Sequence, residues 1–294
     1  MDYVATLIVP RGQVAVLDPA AAGLARAIGA GTPSILAPGE AADLFFASAE
    51  PVESLRTRIQ AEVASAPIDV VVQSAAHRKK KLLVADMDST IIGQECIDEL
   101  ADFAGLKDKV AAITERAMRG EIEFEPALRE RVALLEGLPV ATIARVIEER
   151  IRLTPGAKAL IWTMRANGAR TILVSGGFTA FTDTIARRVG FDESHANRLE
   201  VDGDRLAGTV AEPILGRAAK LATLEEAIIR FNLAVEDTLA VGDGANDLAM
   251  IHRAGLGVAF HAKPKVAEAA AARINHGDLT ALLYLQGYKK TEFA

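Results

Sequence analysis

Four short stretches of this sequence hold residue types that do chemistry when a fold brings them together. Asp86 and Asp88 stand one residue apart in Asp86-Met87-Asp88-Ser89-Thr90, directly after the apolar run 82–85. Ser175-Gly176-Gly177 closes the apolar run of ARTILVS. Lys220 lies alone in GRAAKLATL, and Gly242-Asp243-Gly244-Ala245-Asn246-Asp247 follows the run TLAV. Two carboxylates one residue apart on an extended segment share a side. Such a pair repels and raises a pKa unless a cation compensates. Asp243 can meet the pair across a sheet, and Asp247 can face the same place from the helix that follows. An oxygen-rich cluster of this kind suits magnesium, with waters and phosphate oxygens completing the shell.

The chemistry such a cluster supports is phosphoryl transfer. Asp86 can attack phosphorus as a carboxylate, giving an aspartyl-phosphate. Asp88 can protonate the leaving alcohol and later activate water. A bound magnesium ion would screen the nucleophile from the incoming phosphate and stabilise developing charge. The Ser175 hydroxyl and the backbone N–H groups around Gly176 can cradle phosphate oxygens. Lys220 offers a compact positive charge to phosphate and to Asp86. Asn246 can orient phosphate or solvent, and Asp247 can anchor a metal-bound water. The ordered combination carries far more weight than any single stretch.

These residues need strands to hold them. LLVA, ARTILVS, DTLAVGDG and LGVAF read as buried strands separated by helical patterns, which predicts a parallel sheet covered by helices. In open sheets of this class, ligands gather beyond the carboxyl ends of the strands. The chemical stretches fall at those ends. Residues 91–151 are charged and helical, with candidate helices CIDELADFAG, KDKVAAITERAMRG and FEPALRERVALLEG and stops at glycines 105, 120 and 137. Their position after the first acidic strand end predicts an inserted helical cap. Asp202-Gly203 in HANRLEVDGDRLAGTV predicts a hairpin turn. His195 reads as a surface residue, because no nearby histidine or cysteine completes a zinc spacing.

Residues 1–75 predict a small α+β domain with a regulatory or dimerising role, and residues 76–294 a catalytic domain. VATLIVP and QVAVL read as strands, PAAAGLARAIGAG and LRTRIQAEVAS as helices, and PIDVVVQSA as a third strand with Asp69 at its start. The basic run His77 to Lys81 reads as a solvated linker or strand approach.

Composition narrows the class. The chain has 294 residues, half hydrophobic and 24% charged, with net charge −6. That suffices for substantial cores. The acidic balance argues against general nucleic-acid binding. No run is long enough to span a bilayer. No basic leader precedes the apolar stretch at the start, so a secretory signal is not expected. The single cysteine, Cys96, cannot form an internal disulfide, and a cytoplasmic location is the expectation.

DMDST, SGG, the isolated lysine and GDGANDLAM together resemble the haloacid dehalogenase superfamily over roughly residues 80 to 290. Within it the chain is most similar to the phosphoserine phosphatase branch. The resemblance implies a Rossmann-like core with a helical cap, Asp86 as nucleophile and Asp88 as general acid/base. It implies a magnesium ion held by the Asp86 side chain, the Asp88 backbone carbonyl and the Asp243 side chain. It also implies that Glu95 meets a substrate ammonium, Phe124 forms an apolar lid and Arg131 clamps a substrate carboxylate, a two-pronged contact suited to guanidinium. Ala127 stands where this branch commonly has serine. The expected reaction is hydrolysis of O-phospho-L-serine, the last step of phosphorylated serine biosynthesis. Transfer of the phosphoryl group to homoserine, hydrolysis of another small phosphometabolite and a non-enzymatic phosphoserine sensor are the alternatives. Nucleic-acid and membrane partners are not expected; a homodimer is compatible with the amino-terminal segment.

Overall fold

The computed structural model describes residues 1–10, 12–118 and 121–294. The helix stop expected at Gly120 lies outside them. The amino-terminal subdomain runs β1 (Asp2–Ile8), α1 (Val14–Ile28), β2 (Ser34–Ala37), β3 (Ala41–Ala47), α2 (Val52–Val63) and β4 (Asp69–Ser74). Its sheet has the order β2-β3-β1-β4, with all pairs antiparallel. Tyr3, Ala5 and Leu7 on β1 face one way and pack with Leu17 and Leu24 of α1 and Leu55 and Ile59 of α2. This is the period of two expected of a strand.

QVAVL is not a strand. Val14 begins α1, and Leu17, Ala21 and Leu24 are buried at helical spacing. The β-branched pair Val14 and Val16 was outweighed by the alanine-rich stretch that follows it. Gly29 ends the helix at φ +67°, donating its N–H to the Ala25 carbonyl.

The remainder alternates strand and helix. After β5 (Leu82–Ala85) come the cap helices α3 (Cys96–Phe103), α4 (Lys107–Met118), α5 (Phe124–Ala133) and α6 (Ala141–Glu149). Then follow α7 (Ala157–Ala166), β6 (Arg170–Phe178), α8 (Thr179–Val189), β7 (Glu193–Asn197), β8 (Leu199–Asp202), β9 (Arg205–Val210) and α9 (Arg217–Arg230). The chain closes with β10 (Thr238–Gly242), α10 (Leu248–Arg253), β11 (Leu256–Phe260), α11 (Pro264–Ala269), β12 (Ala272–Ile274) and α12 (Ala281–Leu285).

The central sheet has the order β12-β11-β10-β5-β6-β7 and is parallel throughout. Its strands read as continuous apolar runs because both faces are covered. Leu83 and Ala85 point into one core, and Leu82 and Val84 into another with Leu224 and Ala227 of α9. Strand order reverses at β5, so its carboxyl end lies between those of β6 and β10. β8 and β9 form the expected hairpin, with Gly203 at φ +61° in its turn. His195 is exposed on β7, 3.5 Å from Glu193.

The basic run enters β5, but two of its members are not solvated. Arg78 donates to both Asp43 carboxylate oxygens at 2.8 and 3.0 Å, and to the Tyr284 and Leu285 carbonyls. Lys80 is buried and donates to the Glu236 carbonyl at 2.6 Å. Arg78 pairs across to the subdomain and Lys80 pairs within the core, which a count of charges along the chain cannot show. Asp69 does begin β4, and its carboxylate accepts N–H bonds from Asn275, His276 and Gly277. Among the described residues no helix is long and apolar enough to cross a membrane.

Candidate active site

Three strand ends converge. Asp86 follows β5, Ser175 lies toward the end of β6, and Asp243 follows β10. Lys220 comes from the second turn of α9 and is buried. Its ammonium bridges Asp86 Oδ1 at 2.7 Å and Asp247 Oδ1 at 2.6 Å. Carboxylate oxygens of Asp86, Asp243 and Asp247 lie within 4.8 Å of one another. Asp86 and Asp247 are buried, while Asp243 is partly exposed.

The turn that supplies two of these acids is tight. Asp247 Oδ2 accepts the Gly244 N–H at 3.0 Å, so the carboxylate folds back over the turn. A Cβ at position 242 would lie 2.3 Å from Asp247 Cγ, so glycine is required there by close approach. Asn246 also curls over Gly244.

The Asp88 carboxylate takes a different direction. Oδ1 accepts the Cys96 N–H at 2.9 Å, and Oδ2 accepts the Ser175 hydroxyl at 3.1 Å. The sequence led us to expect Asp86 and Asp88 as the close pair. Asp247 instead supplies the third neighbouring carboxylate. Between Asp86 and the loop that follows, Ser89 adopts a left-handed backbone, φ +54°, which turns the chain toward the cap. The Asp88 backbone carbonyl, the atom implied as a metal ligand, is not a member of the side-chain cluster.

Electrostatics follow from burial. Desolvation, against the pull of Lys220 and with repulsion from Asp247 and Asp88, holds the Asp86 carboxyl well above the usual range. Burial and then Glu95 push Asp88 up to about 6, opposed by its hydrogen bonds from Cys96 and Ser175. Burial and then Asp247 push Asp243 up to about 6. Burial works against the charged form of Lys220, yet Asp86 and Asp247 outweigh it and hold the ammonium above its ordinary value. Lys220 thus faces three close carboxylates, with Lys263 also drawing on Asp243. The donors are all oxygen, and the negative charge is under-compensated, so the cluster fits a hard divalent cation. Cys96 is buried, its thiol pushed up by desolvation and then by Asp88, and is not a nucleophile.

The cap brings the remaining residues. Glu95 precedes α3, is exposed, and accepts the Ser89 hydroxyl at 2.8 Å. Phe124 opens α5, and its ring lies over two glycines of the core. A Cβ on Gly176 would be 3.3 Å from the ring, and one on Gly216 3.5 Å. Arg131, on the same helix, donates to the Ala127 carbonyl at 3.2 Å and is partly buried. Burial lowers its pKa, opposed by Asp98 and Glu95, so Glu95, Asp98 and Arg131 share one field. Ala127 is buried. Asp98 and Asn197 drew no attention in the sequence: an acid on an amphipathic helix and an asparagine at a strand end are commonplace.

The profile of the haloacid dehalogenase-like hydrolases matches residues 83–252. A phosphoserine phosphatase of Streptomyces coelicolor is 44% identical over 250 residues, 84% of this chain but 61% of that protein. The chain thus aligns with less than two thirds of that relative. A haloacid dehalogenase family hydrolase from Salmonella enterica serovar Typhi superposes with a TM-score of 0.87 at 28% identity, covering 97% of this chain and 98% of that one. A phosphoserine phosphatase solved as a phospho-aspartyl intermediate analogue is 42% identical with a TM-score of 0.65, covering 70% of this chain and 98% of that one. With its acids at the carboxyl ends of a parallel sheet and a helical cap above them, the chain belongs to the haloacid dehalogenase-like hydrolases and is closely related to their phosphoserine phosphatases.

Proposed function

We propose that this chain hydrolyses O-phospho-L-serine to L-serine and inorganic phosphate, the last step of serine biosynthesis, with magnesium as cofactor. The observation that carries the reading is the buried Asp86–Lys220–Asp247 cluster, with the Phe124 ring lying over Gly176 and Gly216. The solved relative captured as a phospho-aspartyl intermediate analogue supports an aspartate nucleophile.

In this reading Asp86 attacks phosphorus, forming an Asp86 Oδ–P bond as the seryl O–P bond breaks. Asp88 gives its proton to the departing seryl oxygen. Its raised pKa, about 6, leaves a larger protonated fraction near neutrality than an ordinary aspartate has. Water then attacks the aspartyl-phosphate, Asp88 takes a proton from it, and Asp86 leaves as carboxylate. Lys220 opposes the burial that raises the Asp86 pKa, favouring the attacking carboxylate, and faces the phosphate with Ser175, the Gly176 backbone and Asn246. Glu95 receives the ammonium of the substrate and Arg131 its carboxylate. Asp86, Asp243 and the Asp88 carbonyl would hold magnesium, with Asp247 behind them; the ion, when bound, supplies charge neutralisation between nucleophile and phosphate.

Residues 1–75 are assigned a regulatory or dimerising role, 76–294 the phosphatase and 91–151 its cap. Asp86→Asn tests the core of the reading. Turnover of phosphoserine, followed as released phosphate with magnesium present, is expected to fall by more than about a thousandfold while thermal unfolding stays near wild type. Unchanged turnover would require another nucleophile. Wild-type protein that binds phosphoserine without turning it over would make the chain a sensor.

A further inference from the structure

Asn197 ends β7, on a different strand from every acid of the site, and is only 2% exposed. Its Oδ1 accepts the Leu215 N–H at 2.7 Å, while Nδ2 donates to the Leu215 carbonyl at 3.2 Å. This two-point lock settles which end of the amide is nitrogen. Nδ2 also donates to the Gly176 carbonyl at 2.9 Å. The peptide joining Gly176 to Gly177 is then held at both ends, because the Gly177 N–H donates to Ser175 Oγ at 2.8 Å. With that bond accepted, the serine directs its own hydrogen to Asp88 Oδ2 at 3.1 Å. Leu215 directly precedes Gly216, where the helix carrying Lys220 starts and where Phe124 rests.

We infer that Asn197 is a positioning residue for the phosphoryl-transfer step. It fixes the Gly176–Gly177 peptide so that Ser175 holds the Asp88 carboxyl in the orientation that hands a proton to the leaving oxygen. The chain of contacts runs from amide to peptide to hydroxyl to carboxyl, and each link is a hydrogen bond in a buried or half-buried setting, where a lost partner is costly. The inference rests on the reading of Asp88 as the general acid.

A leaving-group comparison tests it. Phosphoserine needs a protonated leaving oxygen, whereas p-nitrophenyl phosphate releases a stable phenolate without one. Asn197→Ala is expected to lower kcat/KM for phosphoserine at least about tenfold and for p-nitrophenyl phosphate less than about threefold. In a cycle with Ser175→Ala, the double variant is expected to match Ser175→Ala alone within about threefold, because both act along one path. Equal losses on both esters, losses that multiply in the double variant, or no loss at all would overturn the inference. If Asn197→Ala does not fold, Asn197→Ser, whose short side chain cannot span both partners, carries the same comparison. A wild type that ignores phosphoserine but hydrolyses β-glycerophosphate overturns the substrate reading alone, and β-glycerophosphate then serves as the alkyl ester. A wild type inactive on every ester overturns both.

Discussion

At the scale of single residues, Lys220 is the linchpin. Two of its contacts are to buried carboxylates, and its own ammonium has almost no access to water. Removing the cation at the centre of such a cluster leaves two buried carboxylates without their partner, which costs about 3–5 kcal/mol, whereas losing Asp86 leaves Lys220 paired with Asp247. Lys220→Met is therefore expected to lower the unfolding free energy read from urea curves by that much in metal-free buffer, besides abolishing turnover. A loss below about 1 kcal/mol would mean that the carboxylates had simply taken up protons. The sequence displayed Lys220 only as a solitary cation on a helix. What made it legible was its order among the acidic turns. Its burial was not legible, because burial depends on where α9 packs against β5 and β6. The Asp88 direction escaped for a similar reason: the two-residue alternation assumed an extended segment, and the chain turns helical at Met87, between the two acids.

At the scale of elements, the turn between β10 and α10 leaves no room for change. Gly242→Ala would drive a methyl into Asp247, and turnover is expected to drop more than about a hundredfold, with a loss of stability seen in thermal unfolding. Gly257→Ala provides the contrast. Its Cβ would fall 1.9 Å from the Ile251 carbonyl oxygen, backbone against backbone, so this variant is expected not to accumulate as folded protein. The cap behaves differently. Phe124 is 36% exposed, so Phe124→Ala costs little folding energy. It is expected to raise KM for phosphoserine about tenfold with an unchanged melting temperature. An unchanged KM would dismiss the ring as a lid. The strands that carry the site were readable because they are apolar on both faces. β2, β3 and QVAVL resist reading because short apolar stretches carry no period of their own, whereas α6 does carry one, with Ile143, Val146 and Ile147 at helical spacing.

At the scale of the molecule, the approach to the central sheet through Lys80 has a pH signature. Burial pulls the Lys80 pKa down to about 8, against the upward pull of Asp237 and Glu236. In the unfolded chain the same lysine titrates near 10.5. Between those values the unfolded state holds more protons than the folded one, so wild-type stability rises with pH across that window. Below it, both states are protonated and the cost of the buried charge is complete. Lys80→Met lacks the titration. Its unfolding free energy relative to wild type is expected to be most favourable below pH 8 and to decline toward pH 10.5, read from urea curves at each pH. A flat difference would place the ammonium in water.

The amino-terminal sheet spends both of its faces. One carries its own helices, and the other, through Ile8, Ala41 and Val71, enters the core that Leu282, Tyr284 and Leu285 of α12 complete. Arg78 joins β3 to the backbone of that same last helix. Because β1 precedes α12 along the chain, this face of the sheet stays unsheltered during synthesis until α12 has been made. A nascent chain stalled before α12 would present that face to chaperones, and a chain that includes α12 would withdraw it.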